Sequence, residues 1–174
     1  MQSFQELAQP IKLLIMDVDG VLTDGRIFIS ADGEELKAFN TLDGHGLKML
    51  QSTGVALAII TGRSAPGVAH RARGLGIDHL YEGIHNKREA LADLLAKTGL
   101  APEQCAYIGD DVVDLPVMLK VGLAVAVPEA PSLVRQHAHY VTGASGGAGA
   151  VRELCERLMQ AQDTYDAMMA HYLA

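Results

Sequence analysis

Short apolar runs, each closed by glycine, aspartate or a small polar residue, recur along the chain and set its rhythm. The first lies in IKLLIMDVDGVLTDG, from Ile11 to Gly25, where Ile11, Leu13, Leu14, Ile15 and Met16 lead directly into Asp17, Asp19 and Gly20. An apolar run without alternation, stopped by turn-formers, predicts a strand buried on both faces and ending in a loop. Val55 to Ile60, His79 to Tyr81, Cys105 to Ile108, Leu123 to Val127 and Tyr140-Val141 predict further strands, the last at an edge.

Between these runs the period changes to that of helices. Leu47 and Leu50 follow Asp43 at helical spacing, and Gly54 closes that segment. Ser64 is the expected cap of a helix with Pro66 in its first turn, running to about Arg73 before Gly74 and Gly76. Asn86 to Glu89 has the form of a capping box, Ala90, Leu91, Leu94 and Leu95 give the next helix its buried stripe, and Gly99 stops it. Val112 to Lys120 contains Pro116, which predicts an irregular first turn, and Ser132 to Gln136 predicts a short helix. From Val151 to Tyr172, apolar residues at three-, four- or seven-residue intervals predict one long amphipathic helix after the glycine-rich loop Gly143 to Gly149. Its half from Asp163 onward is rich in Met and Tyr and is expected to contact a neighbouring subunit. Strands alternating with helices imply βαβ crossovers, hence an α/β chain: a three-layer α/β/α, Rossmann-like parallel sheet covered on both faces. The exception is Arg26 to Asn40, where Ala31-Asp32-Gly33 separates two short runs as in a β-hairpin.

Composition narrows the class. With 174 residues, 49% hydrophobic and 20% charged, the chain suits one globular domain, 1–174. A formal net charge of −7 argues against a general nucleic-acid binder. Within that acidic chain, Arg63, Arg71, Arg73, Lys87 and Arg88 cluster in one stretch, which suggests a local anion site. Cys105 and Cys155 lack metal-ligand spacing and read as core thiols of a reducing compartment. MQSFQELAQP lacks the order of a signal peptide and no run is long enough to span a membrane, so a cytoplasmic protein is expected.

The chemistry gathers in the loops. Asp17 and Asp19 follow the first strand, Thr61 the next, Lys87 opens a helix, and Asp110, Asp111 and Asp114 follow the strand at Cys105. Each alone also fits an ordinary turn or cap. Together they supply carboxylates for a hard divalent cation, a nucleophile, and donors for phosphoryl oxygens. Receiver domains of signalling proteins use similar residues, but with the lysine last; here Lys87 precedes the second acidic cluster, which disfavours a phospho-switch.

DVDGVLT, the Thr61 turn, Lys87 and GDDVVD resemble the four signature motifs of the haloacid dehalogenase superfamily of phosphatases. FNTLDGHGLKML, ITGR, YIGDDVVDLPVM and GGAGAVRE further resemble its family acting on the eight-carbon acid 3-deoxy-D-manno-octulosonate 8-phosphate, in lipopolysaccharide precursor synthesis. The resemblance implies that Asp17 is the nucleophile and Asp19 the general acid and base. It implies that Asp17, Asp110 and the Asp19 carbonyl hold Mg²⁺, that Thr61 and Lys87 bind the phosphoryl group, and that Asp114 orients metal waters or Lys87. It also implies a homotetramer. A phosphatase of a nine-carbon nonulosonate 9-phosphate, or a non-catalytic sugar-phosphate-binding subunit, are the competing functions. Only 43 residues separate Asp17 from Thr61 and 25 separate Thr61 from Lys87, which leaves room for the hairpin but for no cap domain. Closure is then expected from a neighbouring subunit. Around Thr61, Gly62 lies in the expected substrate loop, and Arg63, then Arg71, are the candidate cations for the substrate carboxylate.

Overall fold

The computed structural model describes residues 2–174. Its elements in chain order are α1 (Phe4–Ala8), β1 (Leu13–Met16), β2 (Phe28–Ile29), β3 (Glu35–Leu36), α2 (Thr41–Ser52), β4 (Ala56–Ile60), α3 (Pro66–Leu75) and β5 (His79–Tyr81). There follow α4 (Lys87–Thr98), β6 (Cys105–Gly109), α5 (Leu115–Met118), β7 (Leu123–Ala126), α6 (Ser132–Gln136), β8 (Tyr140–Val141), α7 (Ala150–Ala161) and α8 (Tyr165–Leu173).

The main sheet runs β5-β4-β1-β6-β7-β8, and every pairing in it is parallel. β1 sits between β4 and β6 and is buried along its whole length, as an apolar run without alternation requires. From β1 the chain steps outward through β4 to β5 with α2 and α3 on one face. It then crosses to β6 and steps the other way to β8, with α4 and α5 packed together on the opposite face. Right-handed crossovers force that change of face when the direction of stepping reverses. α7 returns to the first face and lies along α2, completing the three layers. The reversal beside β1 opens a crevice at the carboxyl ends of the strands. No helix among the described residues is long and apolar enough to cross a membrane.

Several local expectations shift, each because a partner distant in sequence intervenes. α2 starts at Thr41, capped by the Asn40 side chain on the Leu42 and Asp43 amides, so Asp43 is not at its start. Asp43 turns inward, buried, and accepts the Arg152 amide at 2.8 Å. It thereby caps α7, whose own N-cap, Gly149, has no side chain. Ser64 caps nothing: the N-cap of α3 is Ala65, and the helix passes through Gly74 to end at Gly76 in the left-handed region. Asn86 caps α4 at Arg88, and its amide meets the Glu89 carboxylate side chain to side chain, without the reciprocal backbone contact of a capping box.

The long terminal helix is two helices. Asp163 has φ 57° and the Thr164 amide returns to the Met159 carbonyl at 2.9 Å, a Schellman-type ending to α7. Gln162 anchors this corner by donating to the carbonyls of Ala8 and Ile11. α8 contributes no buried residue. α1, closed by a capping box between Ser3 and Glu6, was not foreseen from sequence.

The hairpin forms at Ser30 to Gly33, yet Phe28, Ile29 and Leu36 remain exposed. The loop from Gly143 to Gly149 is ordered against the acidic loop after β1, with the Gly147 amide donating to the Val21 carbonyl at 2.9 Å. A Cβ on Gly146 would fall 1.7 Å from the Gly20 carbonyl oxygen, so only glycine permits this approach. Gly146→Ala is expected to destabilise the fold by about 1–3 kcal/mol in urea unfolding, because the methyl group would push the Gly20 carbonyl away.

Candidate active site

The crevice holds a cleft of about 200 Å³ lined by Asp17, Asp19, Thr61, Gly62, Arg63, Lys87, Asp110, Asp111 and Val113. A larger groove of about 650 Å³ between α2 and α8 is mainly apolar and brings no carboxylate cluster together, so size does not mark the reactive site here.

Asp17 extends β1 by one residue, its amide donating to the Ile108 carbonyl at 3.1 Å. The extended chain stops there. Val18 accepts the amides of Val21, Leu22 and Thr23, and Gly20 turns with φ 84°, so Asp19 reaches the same cleft through a tight turn and not through strand alternation. Thr61 leaves β4 buried, with its amide on the Tyr81 carbonyl and its hydroxyl accepting the Arg63 amide at 3.4 Å. Lys87 begins α4, and a cation at that positive helix end needs compensation. Its Nζ lies 2.7 Å from Asp114 Oδ1, 2.9 Å from Asp17 Oδ2 and 3.1 Å from the Tyr107 hydroxyl.

Asp114, fully buried, has both oxygens committed. Oδ1 also accepts the Tyr107 hydroxyl at 2.6 Å, and Oδ2 accepts the amides of Asp110 and Asp111. It therefore fixes Lys87 and the loop after β6 together. Tyr107 was missed in the sequence, although a tyrosine inside an otherwise small and aliphatic buried strand is a usable signal, since a buried phenol seeks a partner. Lys37 was missed too: its ammonium lies 2.5 Å from both Asp19 Oδ1 and Glu35 Oε1, and no local pattern announces that contact.

The two arginines part company. Arg63 lines the cleft but is held by Glu35, at 2.5 Å from Nη2 and 3.3 Å from Nε. Arg71 lies outside the cleft lining, donating to the Asn40 carbonyl and stacked 5.8 Å from the Phe39 ring at the root of the hairpin.

Oxygens of Asp17, Asp110 and Asp114 approach within 4.8 Å of one another. Burial first, and then the neighbouring carboxylates of Asp114 and Asp17, push Asp110 up to about 7. Burial likewise raises Asp17 to about 6, with Lys87 pulling the other way. For Lys87 burial alone would favour the neutral amine, but Asp114 and Asp17 outweigh it and keep the ammonium. Three carboxylates thus face one cation. Among the described residues no side chain or amide donates to the Asp110 carboxylate, and Gly20 leaves room for it, since a Cβ there would lie 2.1 Å from Oδ2. These oxygen donors and their surplus charge fit a hard divalent cation. Asp17 and Asp110 have the capacity to ligate it, whereas Asp114 is already saturated.

These raised values fix a pH dependence. Without metal, the folded chain binds more protons than the unfolded one between about pH 4 and pH 7, so its stability falls as pH rises through that window. The thermal midpoint in chelator is expected to drop between pH 5 and pH 8, and millimolar Mg²⁺ to reverse the drop at pH 8. A midpoint that climbs over that range in chelator contradicts the assignment.

The chain is similar in sequence and in fold to known proteins. The haloacid dehalogenase-like hydrolase family matches residues 77–154. The 3-deoxy-D-manno-octulosonate 8-phosphate phosphatase of Escherichia coli is 54% identical over 159 residues, covering 91% of this chain and 85% of that protein. The crystal structure of the same-named phosphatase from Moraxella catarrhalis, in complex with magnesium, phosphate and KDO, is 45% identical. It superposes with a TM-score of 0.95 over 97% of both chains. That from Yersinia pestis is 51% identical, with a TM-score of 0.92 over 93% of this chain and 88% of the other. The chain therefore belongs to the haloacid dehalogenase-like hydrolases, in the family of the 3-deoxy-D-manno-octulosonate 8-phosphate phosphatases.

Proposed function

We propose that this chain, as one phosphatase domain over 1–174, hydrolyses 3-deoxy-D-manno-octulosonate 8-phosphate to the free sugar acid and phosphate. This places it in lipopolysaccharide precursor synthesis in the cytoplasm. The observation that carries the reading is the convergence of Asp17, Asp110 and Lys87 on one cleft. Its support is the 54% identity to a phosphatase of that name.

Asp17, Asp110 and the Asp19 carbonyl would hold Mg²⁺, which when bound would supply positive charge against the phosphoryl oxygens. The remaining steps belong to the protein. An Asp17 oxygen attacks phosphorus in line, forming an acyl phosphate as the bond to the sugar oxygen breaks, while Asp19 gives that oxygen its proton. Asp19, now a carboxylate, takes a proton from water as the water attacks phosphorus, and Asp17 is released with inorganic phosphate. Lys87 and the Thr61 hydroxyl, with the Gly62 loop, bind the phosphoryl oxygens as charge shifts onto them. Asp114 and Tyr107 keep Lys87 aimed.

Arg63 is the cation for the substrate carboxylate, which would displace Glu35 from it; Arg71 is the second candidate. The exposed Phe28, Ile29 and Leu36 beside an open cleft support closure by a neighbouring subunit in a homotetramer. Such an exposed apolar strand pair is unusual on a free surface.

Phosphate release from a panel of eight- and nine-carbon sugar acid phosphates tests the reading, with the eight-carbon 8-phosphate expected to have the highest kcat/KM. Preference for a nine-carbon 9-phosphate would move the substrate, not the chemistry. Asp17→Asn should lower kcat by about 10⁴-fold or more, and chelation should abolish turnover of the parent. Arg63→Ala should raise KM far more than it lowers kcat; unchanged kinetics would remove Arg63 from the site.

A further inference from the structure

Lys37 has no part in the chemistry above, yet its side chain is 2% exposed on a hairpin where Ile29 is 68% and Leu36 58% exposed. A lysine side chain withdrawn from water while its aliphatic neighbours face it reverses the ordinary preference. Its partners explain the inversion. Nζ lies 2.5 Å from Asp19 Oδ1 and 2.5 Å from Glu35 Oε1, and Glu35 in turn holds Arg63. A nitrogen facing two carboxylate oxygens at that distance pairs with them as an ammonium. A continuous chain of charges thus runs from the turn after β4, across the hairpin, to the loop after β1. Among the described residues, no other side chain or amide donates to the Asp19 carboxyl.

We propose that Lys37 is a positioning residue for the hydrolysis, fixing the Asp19 carboxyl through Oδ1 and leaving Oδ2 to exchange the proton. An ammonium has donors and no acceptor, so it takes the stronger acceptor, the carbonyl oxygen, and the proton of a neutral carboxyl sits on the other oxygen. A neutral Asp19 keeps Oδ1 as an acceptor with the proton on Oδ2, and an ionised one keeps the same contact. The pairing therefore survives both protonation states and holds the carboxyl plane through the cycle, where a free carboxyl would rotate. This rests on the acid and base role proposed for Asp19. Glu35 serves by fixing Lys37 in turn, which makes the hairpin part of the reaction geometry.

The test compares two esters that both lack a carboxylate, so that binding by Arg63 cannot intrude: p-nitrophenyl phosphate and a neutral pentose 5-phosphate. kcat/KM reports the transfer to Asp17, in which nitrophenolate leaves unaided and a sugar alkoxide requires the proton. Lys37→Met and Lys37→Gln should each lower kcat/KM for the sugar phosphate by about tenfold to a hundredfold, and for the aryl ester by no more than about threefold. Lys37→Arg should recover part of the loss, and calorimetric Mg²⁺ affinity should stay at the parent value in all three. Equal losses on both esters would make the lysine a mere strut, and no loss on either would remove it; both overturn the proposal. Asp19→Asn should show the same ester selectivity. Should it instead lose both esters alike, the acid role of Asp19 falls, and the role of Lys37 with it.

Discussion

One buried ammonium ties the site to the fold. Lys87 Nζ is shared between Asp17 on the end of β1 and Asp114 beyond the end of β6, with the Tyr107 hydroxyl completing its shell. Two carboxylates at such separation repel, and the ammonium between them offsets that repulsion. Removing one member of such a buried set typically costs about 3–5 kcal/mol, because the charge left behind has lost its water as well as its partner. The cluster therefore holds β1, β6 and α4 in fixed relation as well as shaping the cleft. It still leaves a surplus of negative charge at Asp17 and Asp110, which makes a divalent cation part of the site's electrostatic balance.

The sheet order makes this convergence possible. Because stepping reverses beside β1, the loops after β1, β4 and β6 open on the same edge, and the amino end of α4 arrives there from the opposite face. Glycines then allow the loops to interlock: Gly20 admits the Asp110 carboxylate and Gly146 admits the Gly20 carbonyl. A methyl group at either position would separate loops that must meet. Over this rigid floor lies only a two-stranded hairpin, which touches the site through charges and turns its apolar residues outward. The second copy of the chain proposed above would close the cleft from that side.

The strands, the crossovers and the positions of Asp17, Thr61, Lys87 and Asp110 were all legible in the sequence. Each is a local matter: an uninterrupted apolar run makes a buried strand, and turn-formers after it put polar residues at its end. The hairpin was legible for the same reason, through Asp32-Gly33. What the tertiary structure decided was which polar group meets which. Asp43 looked like the start of α2 and became the cap of α7, because the two helices lie side by side. The terminal stripe kept helical spacing across Asp163, yet the chain breaks there, where Gln162 binds the carbonyls of Ala8 and Ile11. Tyr107, Lys37 and the separation of Arg63 from Arg71 depend on contacts between residues far apart in the chain. Periodicity records which face a residue takes; it holds no record of the partner waiting there, since that partner is delivered by another element only once the layers have packed.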